Sequence, residues 1–164
     1  MLSIRREDRS VGVGDGRAEM AGDFVLVTYA LGSCVGLTLW DPVARVGGLL
    51  HSQLPVSYNN EARAEEQPFL FTDTGVAELL RQVYRLGGDR RRIVAKIAGC
   101  AERAGGGSTF RVGQRNLAVA RRVLWKNDIV ISGEDVGGDV PRTMWLDMAS
   151  GETIVRVGGN ARAI

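Results

Sequence analysis

Residues 24–55 read FVLVTYALGSCVGLTLWDPVARVGGLLHSQLP, and the fold is decided in this stretch. Positions 24–29 form an apolar run of strand length, which Leu31-Gly32-Ser33 interrupts. From 33 to 40 the pattern alternates, with Val35, Leu37 and Leu39 on one side and Cys34, Gly36, Thr38 and Trp40 on the other. Asp41-Pro42-Val43-Ala44 is a turn signal, and 46–54 resumes as a strand until Pro55 ends it. The stretch therefore predicts a strand, a break and a β-hairpin in immediate succession.

The flanking sequence adds helices. Residues 11–20 have room for a short strand, weakened by Gly12, Gly14 and Gly16. Residues 56–67 are polar and aperiodic, which predicts a loop. Thr72, Asp73 or Thr74 is suited to cap a helix carrying Val76, Leu79, Leu80, Val83 and Leu86, stopped by Gly87-Gly88. A strand is expected over 92–98, a Gly-rich loop over 99–109, and a second helix around Leu117, Ala120, Val123 and Leu124. A strand over 129–132 and a hairpin pivoting on Ala149-Ser150-Gly151 complete the order. The fold class is mixed α/β: largely antiparallel sheets with two main helices in a layered sandwich, read as a single domain over 1–164.

Composition removes several classes of function. Of 164 residues, 45% are hydrophobic and 24% charged, which excludes a disordered chain, a collagen-like fibre and a disulfide scaffold. Residues 24–40 carry no charge, yet Thr28, Gly32, Ser33, Gly36 and Thr38 within them argue against a membrane span. The opening MLSIRREDRS has no apolar core of a secretory signal, so a cytoplasmic protein is expected, without membrane insertion. Net charge is +2, and the arginines at 5, 6, 9 and 90–92 are interspersed with acids, so no nucleic-acid partner is expected.

Chemistry concentrates on the one histidine, His51, and on Cys34, one of two cysteines. If the turn at 41–44 is a symmetric four-residue loop, Cys34 lies directly opposite His51. A longer loop shifts the register by two and pairs Cys34 with Gln53, leaving His51 a diagonal neighbour. Either register keeps both side chains on one face. An imidazole beside a thiol favours the thiolate, the reactive nucleophile, and N–H groups freed at the break before Cys34 are suited to an oxyanion. The plain alternative is a small buried cysteine and a half-buried strand histidine.

The strings Thr28-Tyr-Ala-Leu-Gly-Ser-Cys34-Val-Gly-Leu, Asp41-Pro and Gly47-Gly-Leu-Leu-His51-Ser-Gln-Leu-Pro55 resemble the CheD family of chemoreceptor glutamine deamidases. Further matches are Val11-Gly-Val-Gly14, Ala95-Lys-Ile-Ala-Gly99, Gly113-Gln-Arg-Asn116, Glu134-Asp-Val-Gly-Gly138 and Val157-Gly-Gly159. The resemblance implies catalytic Cys34, His51 and Thr28 on a three-layer fold like that of deamidating bacterial toxins. It also implies hydrolysis of glutamine side chains on the cytoplasmic helices of chemoreceptors, and in many members a CheC-type phosphatase as partner. Ser33 and Gly32 take the oxyanion and loop-support role, and Thr28 orients the imidazole through either its hydroxyl or its carbonyl. The competing reading is a regulatory binding module on the same fold, acting on such a phosphatase or on a receptor.

Other signals point to less. Where the family commonly has two glycines this chain has Gly99-Cys100, a tolerated small residue or a second thiol near Cys34. Gly105-Gly-Gly-Ser-Thr109 lacks the ending of a phosphate loop. One histidine and two cysteines do not make an ordinary zinc site, so no metal and no cofactor are expected. Glu134 and Asp135 read as a solvated loop, and Trp40, Trp125 and Trp145 as core or rim packing.

Overall fold

The computed structural model describes residues 6–102 and 110–164. In chain order the elements are β1 (Glu7–Ser10), β2 (Asp15–Met20), β3 (Phe24–Leu31), β4 (Val35–Asp41), β5 (Val46–Ser52), α1 (Glu61–Glu66), α2 (Thr72–Arg85), β6 (Val94–Gly99), α3 (Val112–Lys126), β7 (Ile131–Val136), β8 (Arg142–Asp147), β9 (Thr153–Val157) and β10 (Asn160–Ala163). The break at 32–34 sends the chain from one sheet to another. β3 lies in a sheet of order β1-β3-β8-β9-β10, whereas β4 and β5 lie in a sheet of order β2-β5-β4-β6-β7. Among the strands of the described residues, only the β1–β3 and β6–β7 pairings are parallel, so the expected mixed, largely antiparallel architecture is what forms.

Three layers follow from side-chain parity. Odd positions of β4 (Val35, Leu37, Leu39) pack with Val76, Leu79, Leu80 and Val83 of α2 and with Ala120 and Leu124 of α3. The opposite face of the same sheet packs against the first sheet through Trp40, Leu49 and Ala98, meeting Leu26, Leu31, Met144 and Leu146. Each fully buried side chain of this kind stabilises the fold by roughly 1.5–3 kcal/mol. The middle sheet is buried on both faces, which is why all of β4 and β5 is buried.

Several elements depart from the sequence reading. The 56–67 loop contains the short helix α1. None of Thr72, Asp73 and Thr74 caps α2: Phe71 occupies the cap position, and Thr72 already belongs to the helix. Glu134 and Asp135 are on strand β7 rather than in a solvated loop, and Asp135 is held between Arg142 and Arg162, both at 2.9 Å. Trp125 is exposed rather than packed, while Trp40 is core. The Gly105–Thr109 motif lies outside the described residues.

The β4–β5 turn matters most. Its loop is 42–45, one position later than the sequence placed it, so Asp41 pairs with Val46 and Gly36 pairs with His51. The cause is Asp41, whose side chain is fully buried. Its Oδ1 accepts from the N–H groups of Val43 and Ala44, its carbonyl accepts from Arg45 N–H, and Arg45 adopts a left-handed φ of 55°. Burial alone raises the Asp41 pKa, but Arg92 and the N–H groups of Asp89, Ala44 and Val43 outweigh it and hold the carboxyl at about 2. Asp41→Ala removes the carboxylate acceptors, keeps the backbone carbonyl, and leaves Arg92 with only Asp89 at 3.6 Å, so a loss of about 3 kcal/mol is expected in urea unfolding at neutral pH. A loss below about 1 kcal/mol shows that the turn does not depend on this carboxylate.

Candidate active site

Two of the three candidate residues meet across the two sheets. Thr28 comes from β3 of one sheet and His51 from β5 of the other, and both are fully buried. Of the two contacts left open by the sequence, the hydroxyl makes it: Thr28 Oγ1 lies 2.7 Å from His51 Nδ1. The same oxygen lies 2.7 Å from the Val11 carbonyl. A carbonyl only accepts, so the hydroxyl gives its proton to Val11 and accepts the Nδ1–H of His51. The tautomer follows: Nδ1 carries the proton and Nε2 keeps a lone pair. That Nε2 is buried and has no hydrogen-bond partner among the described residues.

Cys34 sits in the bend just before β4. Continuing the ladder by one residue sets it opposite Gln53 and diagonal to His51, so the directly opposed register is not the one adopted. The shared face survives, because Cys34 packs against the inter-sheet core that also holds Leu49, two residues before His51. Cys34 is partly exposed and unbridged, so its sulfur is open to a group arriving from solvent. Burial pushes its thiol up, with only its own backbone N–H acting the other way. Burial also pushes His51 down, to about 4. Both effects favour a neutral thiol and a neutral imidazole on this sheet face, in place of a thiolate and an imidazolium.

The loop bearing Cys34 is tied down through its carbonyls. Cys100 N–H donates to the Cys34 carbonyl and Ala101 N–H to the Gly32 carbonyl, each at 2.8 Å. Gly99 makes this approach possible: its φ is +96°, and an added Cβ would lie 2.4 Å from the Cys34 carbonyl oxygen. Cys100 follows with a left-handed φ of 54°. The alternation is broken there, so Cys100 packs in the helix-side core while Cys34 packs against the inter-sheet core. The two thiols thus contact different cores, and both are free. Beside the loop, a cleft of about 250 Å³ is lined by Gly32, Ser33, Ala101, Glu102, Asp139 and Pro141. A larger cleft of about 620 Å³ beside α1 and α2 contains none of the triad.

Sequence reasoning missed Val11, which acts through its carbonyl alone and so leaves no side-chain signal. Among the described residues, no group of three or more His, Cys, Asp or Glu is placed to hold a metal ion. No described helix is long and apolar enough to cross a membrane.

The family model for CheD chemotactic sensory transduction matches residues 53–157. The chain belongs to the CheD family. Curated relatives extend the match to both sides of Cys34. A Solibacter usitatus protein named "Probable chemoreceptor glutamine deamidase CheD" is 43% identical over 154 residues, spanning 94% of this chain and 91% of that one. A Syntrophus aciditrophicus protein, "Probable chemoreceptor glutamine deamidase CheD 1", is 39% identical over 152 residues, or 93% and 95% of the two chains. An archaeal CheD relative from Pyrococcus horikoshii is 40% identical over 148 residues, covering 89% and 90%.

The buried imidazole ties stability to pH. A folded-state pKa of about 4 against the usual 6.5 means that the unfolded chain binds the proton more readily. His51 therefore contributes its full share above the unfolded value, and that share is lost as pH falls from 6.5 towards 4. At pH 5 the expected loss relative to neutral pH is about 2 kcal/mol. Urea unfolding of wild type and His51→Gln between pH 7 and 5 checks this, since the variant's stability is expected to be nearly flat over that window. An equally steep decline in the variant excludes His51 as the source.

Proposed function

We propose that this chain is a chemoreceptor glutamine deamidase, acting in the cytoplasm as one domain on the helices of methyl-accepting chemotaxis proteins. The carrying observation is the unpartnered Nε2 of His51, fixed in its basic tautomer by Thr28, on the same sheet face as Cys34. The names of the CheD relatives support the substrate class. A binding module has no use for a locked tautomer, so the geometry favours an enzyme over a regulatory adaptor. A CheC-type phosphatase as regulatory partner rests on family resemblance.

The reaction runs through a thioester. As the Cys34 sulfur attacks the amide carbon of the glutamine side chain, Nε2 of His51 takes the thiol proton, so no standing thiolate is needed. The carbonyl oxygen gains the negative charge and is met by backbone N–H groups at Ser33 and Cys34, with Gly32 supporting the loop. His51 returns the proton to the departing nitrogen, ammonia leaves, and the acyl group stays on sulfur. Water then attacks the thioester while His51 accepts its proton, and glutamate and free thiol are released. Thr28 holds the ring throughout and stabilises the imidazolium only transiently, because it offers a dipole rather than a charge.

Mass spectrometry of receptor cytoplasmic fragments after incubation is the direct test, read as conversion of specific glutamines to glutamate with release of ammonia. Cys34→Ala is expected to remain folded and to lose at least about 10⁴-fold in rate. Thr28→Val keeps the shape but removes the acceptor of Nδ1–H, with an expected fall in kcat of about 10- to 100-fold. Deamidation by folded Cys34→Ala would remove the thioester mechanism, and full kcat in Thr28→Val would remove the tautomer lock.

A further inference from the structure

Asn116 is a fully buried polar residue on α3. Its carboxamide meets three groups from three separate segments. Nδ2 donates to the Ser33 carbonyl at 2.9 Å and to the Gln53 carbonyl at 3.1 Å, while Oδ1 accepts from Thr72 Oγ1 at 3.0 Å. Both amide hydrogens are used, and the orientation is unambiguous because the two carbonyls only accept. One turn earlier, Gly113 brings the start of α3 against the Cys100–Ala101 backbone: an added Cβ there would lie 2.4 Å from the Ala101 carbonyl oxygen. Positions 113 and 116 share a helix face, so that close approach delivers the Asn116 amide to Ser33.

The consequence lies in the peptide plane between Ser33 and Cys34. No peptide bond in the described chain is cis, so the Ser33 C=O and the Cys34 N–H point in opposite directions. Drawing that carbonyl inward onto Asn116 turns the Cys34 N–H outward, away from α3. The preceding plane is set in the same way by Ala101 N–H on the Gly32 carbonyl, which turns out the Ser33 N–H. No backbone acceptor takes either N–H among the described residues. We infer that Asn116 is a positioning residue for the deamidation reaction: by holding the Ser33 carbonyl it presents the Cys34 N–H to the oxyanion that forms when the thiol attacks a carbonyl carbon. The inference rests on Cys34 being the nucleophile, as proposed above. Thr72, the first residue of α2, keeps the amide from turning over.

Two reactions of the same thiol separate this role from general support of the fold. Alkylation by iodoacetamide is a displacement at saturated carbon, in which a C–S bond forms, iodide leaves and no oxyanion develops. Acylation by p-nitrophenyl acetate forms a C–S bond at a carbonyl carbon through an oxyanion. The ester C–O bond then breaks, nitrophenolate departs and the thiol proton passes to His51. In folded Asn116→Asp, which keeps the acceptor for Thr72 but loses both amide donors, acylation of Cys34 is expected to slow by at least about tenfold, while alkylation stays within about twofold of wild type.

Thr72→Val provides the same comparison should Asn116→Asp not fold. It leaves both amide donors but frees the amide to turn, and an acylation loss of at least about threefold with alkylation unchanged is expected. Acylation at the wild-type rate, or an equal fall in both rates, overturns the inference. The deamidase reading fails in a different way: Cys34 of wild type is acylated normally while receptor glutamines stay unchanged.

Discussion

A hydroxyl group has one proton to give, and in this molecule Thr28 gives it to the Val11 carbonyl. Everything distinctive about the site follows from that allocation. The oxygen is left to accept from His51 Nδ1, and the ring presents a bare Nε2. Thr28 and His51 come from facing sheets, so the contact crosses the interior between two layers. Apolar packing around it, from Leu26, Leu49 and Met144 among others, excludes water and fixes the spacing of the sheets. The sandwich thereby serves as a holder for a single protonation pattern.

The electrostatics match that arrangement. A charged orienting partner such as an aspartate would stabilise an imidazolium and favour a resting ion pair with the cysteine. A threonine offers only a dipole, and burial then dominates, keeping the Cys34 thiol and the His51 ring neutral. Such a pair is less reactive towards adventitious oxidants, because the thiolate is the species they attack. In the proposed mechanism the thiol reacts only when a carbonyl carbon arrives and its proton passes to His51.

The parts legible in the sequence were those governed by side-chain period. Alternation through 33–40 placed Cys34 and His51 on one face whichever register applied, and the helical period of Val76, Leu79, Leu80 and Val83 marked the buried side of α2. The register itself was not legible, because it depends on where the Asp41 carboxylate finds N–H donors and on Arg45 entering a left-handed conformation. The edge strands β1 and β10 escaped notice since their sequences, EDRS and NARA, bury little and carry no apolar alternation. Thr72 looked like a cap, yet its hydroxyl donates to Asn116, and a polar residue such as Asn116 on a helix face looks like solvent exposure until the loop it binds is in view. Side chains that serve backbone groups far away in the chain have no local signature.

His51 is also the sole histidine of the chain. In a magnetic resonance spectrum every imidazole signal therefore belongs to the ring at the centre of the site, without assignment by mutation. Its Nδ1 proton is enclosed between two sheets and engaged with Thr28, conditions under which exchange with bulk water is slow and a normally invisible proton becomes observable. The ring nitrogens report the tautomer directly, and any molecule that approaches Nε2 registers on a signal with no background. The molecule carries its own reporter at its most informative atom.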